Sequence, residues 1–323
     1  MSGLERTWVL VLAGGAADAP ESQNGDSGRP DRNPCGELLQ PQSLLKMALS
    51  RASVIGPPER TCVLVNRSQK RYSSGSLTRL SCGNVIVQPR HRGSAVEILL
   101  AVLTLLKRDP WARIVVLPAH HYVHNEAALS ASLLDAATPT AQTRNKLTLV
   151  GIKPEDVDSG VSYIVPGRWF EDDTRSVHRI VHSSAKVSAR EMWARGALWD
   201  SSIVAARAAV LLSVLRARVP DIVDQMEMAL AQSDGSDARA DSLTQLYARL
   251  PFVDFSHILS QGAETECRVI TSRPCGWSNL GTARRIAAVI RRLQLADGCG
   301  RAAERPGHLI SPPVVQTLMK VNP

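Results

Sequence analysis

Aromatic residues are scarce in this chain, 4% of 323. A protein so poor in stacking surfaces offers no platform for single-stranded nucleic acid, and that class is set aside. No apolar run approaches the roughly 18 residues that a membrane-spanning helix needs. The apolar run Trp8 to Gly15 is too short for a secretory leader and lacks its charged and small-residue flanks. The six cysteines (Cys35, Cys62, Cys82, Cys267, Cys275 and Cys299) include no Cys-x-x-Cys pair. Free thiols in the reduced cytoplasm are the expectation. Blocks of like charge are missing too, although the formal net charge is +8 and the pI about 9.5. Scattered arginines fit either an anionic small ligand or a solvated surface.

What is present is alternation. Short apolar runs predict strands over 8–13, 61–66, 84–88, 112–117, 146–152, 176–182, 199–206 and 266–271. Helical spacing predicts helices over 43–54, 94–107, 125–137, 186–195, 207–217, 220–232, 240–249 and 281–293. Pro220 stands in the favoured first-turn position of its helix. The runs 9–13 and 114–117 are continuously apolar, as in strands buried on both faces. Strand–helix alternation predicts an α/β protein: a Rossmann-like, doubly wound, mixed but mostly parallel sheet. One domain is expected over 1–295, with a long loop at 16–41 and a loosely held tail at 296–323.

Ligands of such sheets sit at the carboxyl ends of the strands. Ala13-Gly14-Gly15 closes the first strand, and glycine lets backbone amides approach a phosphate or a base closely. Further segments keep it company in order: Gln88-Pro89-Arg90-His91-Arg92-Gly93-Ser94-Ala95, Leu117-Pro118-Ala119-His120, Tyr163-Ile164-Val165-Pro166-Gly167, Leu198-Trp199-Asp200-Ser201 and Trp277-Ser278-Asn279-Leu280-Gly281-Thr282. Together, from about Thr7 to Leu293, the chain resembles the mannose-1-phosphate guanylyltransferase (GDP-mannose pyrophosphorylase) family, short form, of the nucleotide-diphospho-sugar transferase type. That resemblance implies GTP and mannose 1-phosphate as substrates, GDP-mannose and pyrophosphate as products, and Mg²⁺ as cofactor. It implies nucleotide contacts at Ala13, Gly14, Gly15, Gln88, Arg92 and Gly93, and sugar contacts at Tyr163 and Asp200.

The same resemblance exposes what is missing. Joining two anions at an α-phosphorus depends on positioning and on neutralisation by Mg²⁺ and cationic side chains. After its first glycines the family reads Gly-Thr-Arg; here Ala16-Ala17-Asp18-Ala19 stands instead, with no arginine. Arg32 loosely matches the signature lysine and is the candidate catalytic cation. The two acidic metal ligands correspond to His120 and Asn279, and the Glu-Lys-Pro element to His182-Ser183-Ser184. Mg²⁺ prefers carboxylate and water oxygens, so imidazole and amide are poor exchanges.

A nucleotide- or sugar-nucleotide-binding homologue without turnover is therefore expected, as a homodimer or paired with an active homologue, and with no cofactor. The alternative is an active guanylyltransferase with an altered metal site. A third possibility reads His120-His121-x-x-His124, with His182, as ligands of Zn²⁺.

Overall fold

A computed structural model describes residues 6–17, 39, 41–68, 75–138, 145–158, 160–182, 186–231, 236–280 and 283–303. Arg32, Asp18 and nearly all of the expected 16–41 loop lie outside them. Eleven strands are described: β1 (Thr7–Leu12), β2 (Thr61–Asn66), β3 (Val85–Gln88), β4 (Arg113–Pro118), β5 (His121–Val123), β6 (Leu147–Ile152), β7 (Ser162–Trp169), β8 (Arg175–His182), β9 (Leu198–Arg207), β10 (Cys267–Thr271) and β11 (Trp277–Asn279). The α-helices that matter below are α1 (Pro41–Ile55), α2 (Ser94–Leu106), α3 (Glu126–Ala137), α4 (Lys186–Ala194), α5 (Ala208–Arg218), α6 (Pro220–Ala231), α7 (Ser236–Arg249), α8 (Phe255–Leu259) and α9 (Ala283–Ala303). The last of these continues past residue 296, where a loose tail was expected; 304–323 lie outside the described residues.

Nine strands form one sheet in the order β3-β2-β1-β4-β9-β6-β10-β8-β7, and β5 with β11 forms a separate two-stranded ladder. The expectation of a mostly parallel sheet needs correction. The pairs β3–β2, β2–β1, β1–β4 and β6–β10 are parallel. The pairs β4–β9, β6–β9, β10–β8, β7–β8 and β7–β9 are antiparallel. The sheet is mixed because β9 enters its middle from the β7–β8 excursion and runs against both neighbours. Parallel pairing runs through the whole β3-β2-β1-β4 half and recurs at β6–β10.

Both faces of the sheet are covered, as the continuously apolar strands require. Along β1, Trp8, Leu10 and Leu12 face one core, while Val9 and Val11 face the other. The first core takes α2, α5, α6, α7 and α8; the second takes α1, α3 and α4. Helix α2 is buried almost all round, from Ala95 to Leu105, as a helix apolar on every side must be. Glu97 is the one charged residue in that buried run and is 2% exposed. On the second face, Arg51 of α1 makes a two-pronged bond to Glu126 at the start of α3, both contacts at 2.7 Å. Its Nη2 also donates to the His121 carbonyl at 3.2 Å, which fixes β5 to the domain.

Three strands escaped the periodicity reading. Pro166-Gly167 interrupts the apolar pattern of β7, which bulges there. β5 and β11 hold three residues each, too few for any period to show. No helix among the described residues is long and apolar enough to cross a membrane.

Candidate ligand site at the carboxyl ends of the strands

The glycine turn sits where the parallel half of the sheet ends. The carbonyl of Gly14 accepts from Asn66 Nδ2 at 2.6 Å, so the tip of β2 holds the tip of β1. Gln88 Nε2, at the tip of β3, donates to Asn66 Oδ1 at 2.7 Å and to Glu97 Oε1 at 2.6 Å. Glu97 Oε1 also meets His91 Nδ1 at 2.8 Å. Tyr247 of α7 closes the floor, its hydroxyl donating to Gln88 Oε1 at 3.4 Å. A Cβ on Gly14 would fall 2.1 Å from Glu97 Oε1 and 2.4 Å from Gln88 Nε2. A larger residue there would have to push aside those two buried, hydrogen-bonded side-chain ends. Gly15 is exposed, and a Cβ there would meet the His91 ring at an ordinary 3.4 Å.

Of the nucleotide-side candidates, Ala13, Gly14, Gly15 and Gln88 converge here. The other two serve the scaffold. Arg92 donates to the carbonyls of Tyr247 and Ala248 at 2.9 and 3.0 Å, capping the end of α7. Gly93 has φ +92°, and a Cβ on it would lie 2.1 Å from the Val253 carbonyl oxygen. Asn66, His91, Glu97 and Tyr247 were missed from sequence. The signal available was Glu97, a lone carboxylate inside an otherwise apolar helix.

The sugar-side candidates are engaged internally. Tyr163 is fully buried, its hydroxyl donating to the Asp158 carbonyl at 2.9 Å and accepting from the Asp158 amide at 3.2 Å. Asp200 accepts from Ser256 Oγ at 2.6 Å and from the Ser202 amide at 2.8 Å. Burial pushes the Asp200 carboxyl up, against those two hydrogen bonds. Asp254 caps α8 by accepting from the His257 amide at 3.2 Å and takes Ser94 Oγ at 2.9 Å.

The two positions where the resemblance implies acidic metal ligands do come together. β5 and β11 pair antiparallel with Asn279 opposite His121, and the Leu280 amide donates to the His120 carbonyl at 3.0 Å. From there four rings run in file: His120 to His121 at 4.9 Å between centroids, His121 to Trp277 at 5.1 Å, Trp277 to Trp199 at 6.2 Å. Burial, with the charges of His91 and Arg285 adding, holds the His120 imidazole down to about 4; Asp254 opposes this. Burial drives His121 well down too, with His120 and Arg51 adding. Both are neutral at pH 7. A neutral imidazole beside a carboxamide does not fit Mg²⁺, which needs hard, charged oxygen donors. The zinc reading fails as well: among the described residues no three His, Cys, Asp or Glu side chains are placed to hold a metal. His182 is instead 3.0 Å from Ser162 Oγ through Nδ1, and its ring centroid is 5.8 Å from that of His257.

Beside Asn279 opens a cleft of about 650 Å³, counting space open to solvent, between the 156–161 segment and α9. Trp199 and Trp277 line it, with Arg284, Arg285 and Arg292 facing Asp156 and Asp158. Arg285 Nε holds Asp158 Oδ2 at 2.9 Å, and Arg292 reaches Glu155 at 3.2 Å. Burial raises the Asp158 carboxyl, but the hydrogen bonds from Arg285 and the Gly160 amide outweigh it and bring the carboxyl below its ordinary range.

A mixed sheet flanked by helices, with a glycine turn at the first strand end, defines the nucleotide-diphospho-sugar transferase fold. A solved structure described as a mannose-1-phosphate geranyltransferase from Thermus thermophilus shares it, with TM-score 0.70 and 23% identity over 88% of this chain and 79% of that one. A UDP-glucose pyrophosphorylase solved with UDP-glucose matches at TM-score 0.52 and 12% identity, over 90% of this chain and 99% of that one. In sequence, the mannose-1-phosphate guanylyltransferase of Escherichia coli K12 is 28% identical over 235 residues, 69% of this chain and 48% of the relative. The xanthan biosynthesis protein XanB of Xanthomonas campestris pv. campestris is 26% identical over 250 residues, 76% of this chain and 52% of the relative. No protein-family model matches the chain. The chain is a homologue of the mannose-1-phosphate guanylyltransferases, and it spans about half the length of the curated relatives it matches.

Proposed function

We propose that this protein binds a guanine nucleotide or sugar nucleotide, GTP or GDP-mannose, at the Gly14-Gly15 turn and turns it over poorly or not at all. One observation carries the reading: His120 and Asn279 remain neighbours across the β5–β11 ladder, yet neither brings a carboxylate. The geometry of a metal site is kept while its chemistry is gone. The arginine that the resemblance places after the glycines is also missing, and such a cation is worth about 10³–10⁵ in rate. Binding is supported by the turn itself, where Gly15 is exposed above the floor of Asn66, Gln88 and Glu97. A binding protein of this kind would act as a homodimer or by pairing with an active homologue, and sedimentation of the purified chain, alone and mixed with such a homologue, reads which.

The test is calorimetric titration with GTP and GDP-mannose, alongside pyrophosphate release from GTP plus mannose 1-phosphate in Mg²⁺. Nucleotide binding without pyrophosphate is the expected result. Sustained pyrophosphate release would establish the rival reading, an active guanylyltransferase with an altered metal site.

A further inference from the structure

The cleft beside Asn279 has no explained use in the reading above, and its wall is chemically incomplete. Trp199 and Trp277 are 8% and 3% exposed, and neither indole Nε1 finds an acceptor among the described residues. Buried donors are nearly always satisfied in proteins, so two on the wall of one cleft call for an acceptor. His121 Nε2, in the ring file behind Trp277, is a third buried nitrogen without a partner among the described residues. Three guanidinium groups stand at the mouth with the carboxylates of Asp156 and Asp158, and Arg292 also reaches Glu155 at 3.2 Å. Asp158 is already matched by Arg285, and Arg284 and Arg292 are exposed on α9.

We propose that this cleft is a metal-independent anion site, in which Arg284, Arg285 and Arg292 take a phosphate group at the flank where the resemblance implies a magnesium ion. Guanidinium groups suit this task, because their planar fork matches phosphate oxygens and their charge does not depend on pH. Arg285 supplies charge while its Nε stays with Asp158, and the exposed Arg284 and Arg292 supply the movable contacts. The two indole N–H groups, on residues that line the cleft, are donors still without an acceptor among the described residues. Arg285 already acts electrostatically on His120, so the cation and the lost metal position share one neighbourhood. The ligand class is a small phosphate ester or a free phosphate. The inference rests on the sugar-nucleotide reading only for which ester occupies the site.

The experiment follows the indole N–H resonances of the full chain in EDTA as inorganic phosphate, pyrophosphate or mannose 1-phosphate is added. Substitutions Trp199→Phe and Trp277→Phe assign the two signals among the six tryptophans. Both signals should shift more than those of Trp8, Trp111, Trp169 and Trp193, and Mg²⁺ in place of EDTA should leave the affinity within about twofold. The double variant R284A/R292A should weaken binding at least tenfold, and R284K/R292K should recover part of it. Both pairs sit on an exposed helix face, so folding is retained. A shift with mannose 1-phosphate alone supports the site and adds recognition of the sugar; a shift with all three supports a site that reads phosphate only. No shift at either indole, or a shift that requires Mg²⁺, overturns the inference. Should GDP-mannose bind while the indoles stay still, the proposed function stands and this inference falls; the reverse pattern does the opposite.

Discussion

At the end of β1, Asn66, Gln88, Glu97 and His91 bond to one another beneath a glycine turn, and a Cβ on Gly14 would press on the Glu97 and Gln88 ends of that network. Across the same strand ends, at β5 and β11, four rings stand in file, and three of their nitrogens are buried without partners among the described residues. The first flank keeps its polar groups in a fixed, mutually satisfied pattern. The second packs ring against ring and leaves those nitrogens unsatisfied among the described residues. Polarity is thus specified by geometry at one end of the site and by availability at the other.

The sharpest break would come from filling the glycine turn. Gly14→Ala places a methyl 2.1 Å from Glu97 Oε1 and should cost about 4 kcal/mol, from overpacking plus displaced buried hydrogen bonds. Gly15→Ala meets only ordinary contact at 3.4 Å and should change stability by less than about 0.5 kcal/mol. Urea denaturation of the two variants reads the difference, and equal losses would mean that the floor is not rigid.

Next in size, Glu97→Ala removes the acceptor shared by Gln88 and His91 and should cost about 3 kcal/mol, because two buried donors lose a partner at once. Its counterpart on the other flank, Trp277→Phe, removes a donor that has no acceptor among the described residues and should stay within about 1 kcal/mol of the parent. A Trp277→Phe loss as large as that of Glu97→Ala would erase the contrast between the flanks.

The histidines supply a pH test of about 2 kcal/mol. His120 has a folded value of about 4 against an ordinary 6.5, so it binds its proton more weakly in the folded chain. Stability is complete above about pH 6.5 and is lost as pH falls toward 4, by about 2 kcal/mol between pH 7 and 5. His91 and Arg285 push in this direction and Asp254 resists. His121, lowered by burial, adds to the same slope. His120→Gln should flatten the fall by about the stated amount in denaturation curves at the two pH values, and an unchanged slope would place a charged imidazole at the former metal position.

Much of the scaffold could be read from residues alone, because β1, β2, β4 and β6 are buried almost throughout on both faces and advertise themselves as apolar runs. The direction of β9 could not. Its residues look like any buried strand, and only the β7–β8 excursion before it sets it antiparallel to β4 and β6. At the site, Gly14 drew notice because glycine at a strand end lets the backbone approach closely, and Gln88 only because the resemblance singled it out; the structure brings both to one polar floor. Arg92 and Gly93 were legible as special but not as structural, since the Val253 carbonyl that demands Gly93 is 160 positions away in sequence. The indole donors of Trp199 and Trp277 carried no sequence signal, because a missing partner is a property of space and not of order.

The smallest effect tests the stripped flank directly. Because His120 and Asn279 offer a neutral nitrogen and an amide, Mg²⁺ at millimolar concentration should leave the melting temperature of the parent chain unchanged. The positions still meet across β5 and β11, so the double variant His120→Asp, Asn279→Asp restores two carboxylates to one place. Mg²⁺ binds such pairs weakly unless phosphate oxygens join in, and Arg285 nearby weakens the site further. At about ten times its Kd the ion should stabilise the variant by about 1.4 kcal/mol. Charge repulsion between the new carboxylates lowers stability without metal, so the readout is the difference with and without Mg²⁺ rather than the absolute melting point. A parent chain that already responds to Mg²⁺ as the variant does would show that the ion needs no carboxylate at these two positions.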